Sequence, residues 1–221
     1  MNALYERLRM HASQRNVQPR FHGNGFTQLY LDPETRLHVW HPNLQPIRDH
    51  NASIHTHRYD VFSTIYAGKL WHRTYNILTD APEEEHDVRV IQLDGASDAH
   101  KTPEIETGLT GKLEVRHEYW FTKGSSYTFR KDLFHSSDAT PEDGEPIVTI
   151  FERQNKNPDG QWAKVLCGIK DEVATHAFDP EQQPEQDALW EAMQSGLTFL
   201  EGSTKYDFHQ KLTDLGIPVL E

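Results

Sequence analysis

Two histidines separated by one residue, His55 and His57, head the run SIHTHRYDVFSTIYAG, residues 53–68, which is rich in aromatic and β-branched side chains and closes on Gly68. In an extended chain, side chains two apart point the same way, so both imidazoles can face one side and share a small cation. Such a pair is half a site. A transition-metal centre needs at least one further ligand, and in a β protein it comes from a strand adjacent in space but distant in sequence. With 14 histidines in 221 residues, one His-x-His is expected by chance, so the surroundings decide its meaning. His135, in GSSYTFRKDLFHSS, is the candidate third ligand.

Strands are needed to hold such a set, and the chain supplies them. FTQLYL, TRLHVW, YDVFSTIY, KLWHRTYNIL, DVRVIQL, KLEVRHEYWF, SYTF, PIVTIFER and WAKVLCGIK are short β-branched and aromatic runs separated by Pro, Gly, Asp and Asn. Many short strands in succession predict a mainly β fold, an antiparallel sandwich or barrel. Before them, Leu4 and Leu8 mark a short amphipathic helix; after them, Asp179 and Pro180 give a start signal and Leu189, Met193 and Leu197 fall at helical spacing. The chain therefore divides into an N-terminal helix or arm over 1–20, a β-barrel over 21–172 and a C-terminal helical extension over 173–221. Residues 79–111, with Pro82, EEEHD, Gly95 and Pro103, read as an insertion holding one strand and much loop.

A hydrophobic fraction of 36%, with 10 Phe, 8 Tyr and 5 Trp, can supply the core of one main domain. The formal charge of -12 opposes nucleic acid and anionic membrane as partners. No stretch has the apolar length of a membrane span, and the N-terminus lacks a signal-peptide core, which predicts a soluble, cytoplasmic protein with a small-molecule partner. The single cysteine, Cys167, cannot form an intrachain disulfide and reads as a small buried hydrophobe.

The spacing of the two histidine blocks resembles that of the cupin superfamily, whose first motif runs Gly-x5-His-x-His-x3-Glu-x6-Gly and whose second runs Gly-x5-Pro-x-Gly-x2-His-x3-Asn. His55, His57 and Gly68 match the first and Gly124 and His135 the second, with every interval kept over roughly residues 49–135. The chain departs from the motifs at Asp49, which stands for the first glycine, at Arg130 and Asp132 in place of Pro and Gly, and at Val61 in place of Glu. Asp tolerates a left-handed backbone, so Asp49 and Asp132 can still serve the turns. Val61 removes the usual carboxylate ligand. What the resemblance implies is a single cupin barrel with a divalent metal in its mouth, held by His55, His57 and His135; a pair of barrels forming a homodimer is the corresponding assembly.

Two arrangements stay open. Three neutral imidazoles alone would leave the full positive charge on the metal and favour anionic ligands. Alternatively, Asp60 on a bulged strand turns inward and completes a two-histidine, one-carboxylate triad. Three-histidine cupins without the glutamate look most like the cysteine-dioxygenase-like thiol dioxygenases, which use Fe(II) and dioxygen to oxidise a thiolate. That group carries a Ser-x-His-x-Tyr relay after the third ligand, and HSSDATPEDGEPIVTIF holds none. The function implied is an Fe(II) dioxygenase of a small anionic, thiol-type substrate. Its alternatives are a non-catalytic metal- or ligand-binding cupin, or an isomerase or lyase using Zn or Mn as a Lewis acid; Zn, Mn and Ni are the alternative metals.

Four further residues are pocket candidates: Arg73 as a carboxylate clamp, Tyr75 as a hydrogen-bond donor, His117 as a base, and Val61 in the wall. Arg48 is a second clamp candidate, and His38, His41 and His50 read as polar rim.

Overall fold

All nine β-branched and aromatic runs form strands in the computed structural model, which describes residues 3–45, 53–93, 104–139, 144–156, 163–171 and 183–218. In chain order these strands are β2 (Phe26–Tyr30), β3 (Thr35–Trp40), β4 (Asp60–Ala67), β5 (Lys69–Leu78), β6 (Val88–Leu93), β7 (Glu104–Thr122), β8 (Ser126–Phe129), β10 (Ile147–Gln154) and β11 (Lys164–Gly168). Two more, β1 (Arg20–His22) and β9 (Phe134–Asp138), complete the set, and the helices are α1 (Ala3–Gln14), α2 (Gln186–Thr198) and α3 (Gly202–Asp214).

Among the described residues every ladder is antiparallel, and the strands form two sheets, β1-β2-β3-β10-β4-β8 and β11-β6-β7-β5-β9. In place of the single closed barrel expected from the sequence, the ladders among these residues form two sheets, and none joins an end of the first to the second. The sheets lie face to face: Phe26, Trp40, Ile65 and Ile147 of the first pack with Leu70 and Phe121 of the second. Residues 79–111 are not an appendage, since β6 pairs with both β7 and β11 and sits inside the five-stranded sheet. The Glu83–Glu85 stretch is an exposed 3-10 turn leading into it.

Alternation along β3 explains the layering. Leu37 and Val39 point to one face, with Leu29, Val148 and Ile150, and meet Leu4 and Leu8 of α1, Met193 and Leu197 of α2, and Phe208 and Leu212 of α3. Arg36, His38 and Trp40 point to the other face, toward the second sheet. With both faces covered, β3 is buried at all six positions. Each large apolar side chain buried under the helices contributes about 1.5–3 kcal/mol. The first helix is also tied to the end of the last. Buried Arg7 donates from Nε to the Ile217 carbonyl at 3.1 Å and from Nη2 to Thr213 Oγ1 at 3.0 Å.

Gly68 links β4 to β5 at φ +71°, and a Cβ there would lie 2.7 Å from Ile147 Cγ1 and 3.1 Å from the Pro146 carbonyl. Only glycine fits that turn without a shift. Gly124 takes φ +86° in the turn before β8, whereas Asp132 is not left-handed. Asp49, Arg48, His50, Asp179 and Pro180 lie outside the described residues.

Candidate metal centre

The first histidine pair lies on a short extended run, residues 54–57, held by backbone bonds from two directions. His55 exchanges both N–H···O bonds with His135 on β9 at 3.0 Å, while the Leu166 and Thr56 N–H groups close bonds of 2.9 and 2.8 Å to Ile54 and Lys164 carbonyls on the β11 side. The His57 N–H donates to the Lys131 carbonyl at 2.9 Å. Alternation does the rest: Ile54 enters an apolar cluster with Tyr75, Val88, Val90 and Leu166, and His55 and His57 turn the opposite way. On β9, Phe134 joins that same cluster and His135 faces the cavity between the sheets.

The result is a group of three imidazoles, His55, His57 and His135, whose ligand atoms all lie within 4.8 Å of one another. Ring orientation is fixed from behind. Nδ1 of His55 donates to the Ser53 carbonyl at 2.8 Å and Nδ1 of His135 to the Leu133 carbonyl at 3.1 Å. A carbonyl only accepts, so these bonds place the proton on Nδ1 and leave the Nε2 lone pair for an electrophile. His57 stacks on Tyr59, with ring centroids 4.9 Å apart. Burial pushes the His57 and His135 imidazoles well below their ordinary pKa, and charge on neighbouring histidines acts the same way. Free Nε2 lone pairs, which the Nδ1 bonds of His55 and His135 aim forward, are what a divalent metal requires, so the residues fit the ion that the motif implies.

The cavity in front of them has a volume of about 70 Å³. One side of its wall is aromatic, Phe26, Trp40, Tyr127, Phe129 and Phe151, and Gln28, Arg36, His38, Ser63, Ser137 and Thr149 bring polar atoms to it. His72, next along the second sheet, lies 5.4 Å from the His135 ring, bonds Ser137 Oγ through Nδ1 at 3.0 Å, and has its pKa lowered to about 4 by burial and then by His55.

The other predicted site residues fall elsewhere. Thr74 is the residue opposite His135, and Arg73 is opposite Ser136, so Arg73 and Tyr75 occupy the sheet face turned away from the imidazoles. Arg73 pairs with Asp138 and lies 4.2 Å over the Trp71 ring; Tyr75 is buried and shares a 3.0 Å hydrogen bond with Ser136 Oγ. His117 is exposed, opposite Thr74 on β7, in a separate cavity of about 260 Å³ behind Tyr127 and Phe129. Two strand spacings, roughly 10 Å, therefore part it from His135. Asp60 points outward, where its carboxylate accepts from the Lys131 N–H at 3.0 Å and Asn155 Nδ2 at 2.9 Å, bonds that hold its pKa below the usual range. No bulge turns it inward; Val61 takes the inward position, fully buried with Tyr59, Phe129 and Phe151, the rings around His57. Cys167 is buried in a second small apolar cluster.

His38 and Arg36 are the residues the sequence reading missed. His38 is wall, not rim, at 5% exposure, between Phe26 and Phe151. The signal was available: in TRLHVW, Leu37 and Val39 alternate with Arg36, His38 and Trp40, so one parity had to carry two basic residues into the interior.

No family model matches the chain, and no curated protein resembles it in sequence. Among solved structures it is similar to a hydroquinone 1,2-dioxygenase in complex with Cd2+ and 4-hydroxybenzonitrile, at 12% identity and TM-score 0.28, covering 57% of this chain and 61% of that one. A hydroquinone 1,2-dioxygenase from Sphingomonas sp. TTNP3 with 4-hydroxybenzoate bound gives 11% identity and TM-score 0.27, covering 57% and 62%. Hydroxypropylphosphonic acid epoxidase from S. wedmorenis gives 12% identity and TM-score 0.28, covering 58% and 49%. Each overlap stays short of two thirds of the matched chain's length. Among the described residues no helix is long and apolar enough to cross a membrane.

Proposed function

We propose that His55, His57 and His135 hold one divalent transition metal, Fe(II) foremost, and that the protein is a cupin-type enzyme oxidising a small anionic, thiol-type molecule with dioxygen. The observation that carries this reading is the convergence of three imidazoles, two of them oriented through Nδ1, with no carboxylate in the group. Three uncharged ligands leave the cation's charge uncompensated, which selects an anion for the remaining positions. When bound, the metal would supply Lewis acidity and electron transfer beside those open positions.

The chain's own residues would do the rest. The Ser53 and Leu133 carbonyls fix two of the ligand rings. Phe26, Trp40, Phe129 and Phe151 would keep water from the reacting molecule, and their low polarity strengthens any charge interaction inside. Tyr127, whose hydroxyl pKa is raised by burial, stays a neutral hydrogen-bond donor in the wall.

Metal analysis of the protein as purified, followed by oxygen uptake with cysteine and 3-mercaptopropionate, tests the reading. Iron, with thiol-stimulated uptake that His135→Ala abolishes, is the expected result. Tightly held zinc with no uptake would overturn the oxidative role and leave a Lewis-acid or non-catalytic site on the same ligands.

A further inference from the structure

β7 and β8 follow one another through a tight turn and then part. At the turn the Ser125 N–H donates to the Thr122 carbonyl at 2.9 Å, and the Phe121 and Tyr127 rings stack with centroids 4.3 Å apart. Beyond that pair, β7 runs against β5 in one sheet while β8 pairs with β4 in the other. Strands committed to different sheets diverge, and among the described residues no ladder joins these two. The divergence opens a cavity of about 260 Å³, with Tyr119 and Phe121 on the β7 side and Tyr127 and Phe129 on the β8 side.

Its walls are ring faces. The Tyr119 and Phe121 planes are 24° apart, Phe121 and Tyr127 are 13° apart, and so are Tyr127 and Phe129. A run of near-parallel rings that is shut at one end and open at the other suits a further flat ring, held by offset stacking. Tyr119 is 46% exposed, so part of that aromatic wall now faces water.

The inner end is polar and incomplete. Thr74 stands on β5 between His117 of β7 and His135 of β9, is 5% exposed, and lines this cavity rather than the one before the imidazoles. Its Oγ1 is buried with no partner. Buried hydroxyls are nearly always hydrogen-bonded, so this one lacks an atom that a ligand in the cavity would supply. Arg116 and His117 line the same cavity from exposed positions. A carboxylate brought to the buried hydroxyl would be stripped of water beside a neutral group, a cost that an uncharged hydroxyl or amide avoids. Size agrees with one ring: a cavity of about 150 Å³ accepts benzene, which leaves room here for a short substituent.

We propose that the slot between β7 and β8 is a second ligand site, which takes a single aromatic ring against Tyr119, Phe121 and Phe129 with an uncharged hydrogen-bonding substituent on Thr74 Oγ1. Tyr127 and Phe129 are common to this slot and the cavity of the imidazoles, but no imidazole of the candidate metal centre lines the slot, and the site does not rest on the metal reading.

Benzyl alcohol is the probe, titrated by calorimetry into the protein as purified, with cyclohexylmethanol as the puckered-ring counterpart and toluene as the one without a hydroxyl. Benzyl alcohol is expected to bind about fivefold more tightly than cyclohexylmethanol. Thr74→Val keeps the shape and removes an unsatisfied hydroxyl, so it should fold as well as wild type while weakening benzyl alcohol about fivefold and leaving toluene unchanged. Tyr119→Ala, at an exposed position, should weaken both aromatic probes about tenfold, with near-UV circular dichroism confirming the fold. No binding of benzyl alcohol to the wild-type protein overturns the site, as does equal affinity for the flat and the puckered ring; neither result needs a variant to fold. Binding indifferent to Tyr119→Ala, or to Thr74→Val, overturns it as well, and loss in His135→Ala alone would place the probe on the metal instead.

Discussion

The six-stranded sheet has two faces built from the same strands and in opposite chemistry. Under the helices, Leu29, Leu37, Val39, Val148 and Ile150 make a dry aliphatic layer. One residue out of phase, Gln28, Arg36, His38, Thr149 and Phe151 make an aromatic and polar layer that keeps unpartnered donors and acceptors buried. The first layer supplies the hydrophobic stabilisation that offsets the cost of the second. Stability and chemistry are thus separated by parity alone, a division that a two-residue period makes possible and a one-residue slip would destroy.

If that division is real, the largest effects on stability must come from the helix side and leave the metal alone. Phe208 is fully buried on α3, edge-on to Tyr66 with centroids 5.0 Å apart. Phe208→Ala should cost about 3–5 kcal/mol in urea denaturation with metal content per folded chain unchanged. On the other side, His135→Ala should lower metal affinity at least 100-fold, about 2.7 kcal/mol, measured by competition with a chelator. A Phe208→Ala protein that folds but loses its metal as His135→Ala does would show the two faces to be one cooperative unit.

Much of this was legible in the chain. Nine strands announced themselves by β-branched and aromatic content, and Gly68 and Gly124 sit where two motif glycines were expected, both at positive φ. What the sequence hid was pairing. β9 reads FHSSD, too polar to signal a strand, yet its register against β5 decides that Thr74 and not Arg73 stands beside His135. The choice between one closed barrel and two sheets, and the place of β6 inside one of them, likewise depend on contacts between segments far apart in sequence. Asp60 against Val61 was decidable by parity, and parity alone favoured Val61.

The polar layer should also report on pH. Burial, and secondarily the charge of Arg36, holds the His38 pKa well below 6.5 in the folded protein. The unfolded chain therefore binds this proton more readily. Stability from the neutral ring is fully present above the unfolded pKa and is lost as pH falls through it toward the folded value. The slope is about 1.4 kcal/mol per pH unit for one proton. His38→Phe, which keeps a ring among Phe26, Trp40 and Phe151, should flatten the stability profile between pH 6 and 5 by that one proton, read from urea midpoints. An identical slope in the variant would mean that His38 is protonated in the folded state and that the wall is wetter than its burial indicates.

The smallest effect is the most pointed test of register. Arg73 lies two residues from Tyr75 on a strand that touches the site, and on sequence grounds it is a natural clamp for a substrate carboxylate. In the fold it lies on the far face, paired with a partly exposed Asp138 and stacked on Trp71. Pairs of this kind contribute about 1 kcal/mol or less, so Arg73→Gln should lower stability by no more than that and leave metal content at the wild-type value. Should Arg73→Gln strip the metal from a folded protein, the register between β5 and β9 would have to shift by one residue, which would carry His135 to the opposite face and dissolve the cluster of imidazoles.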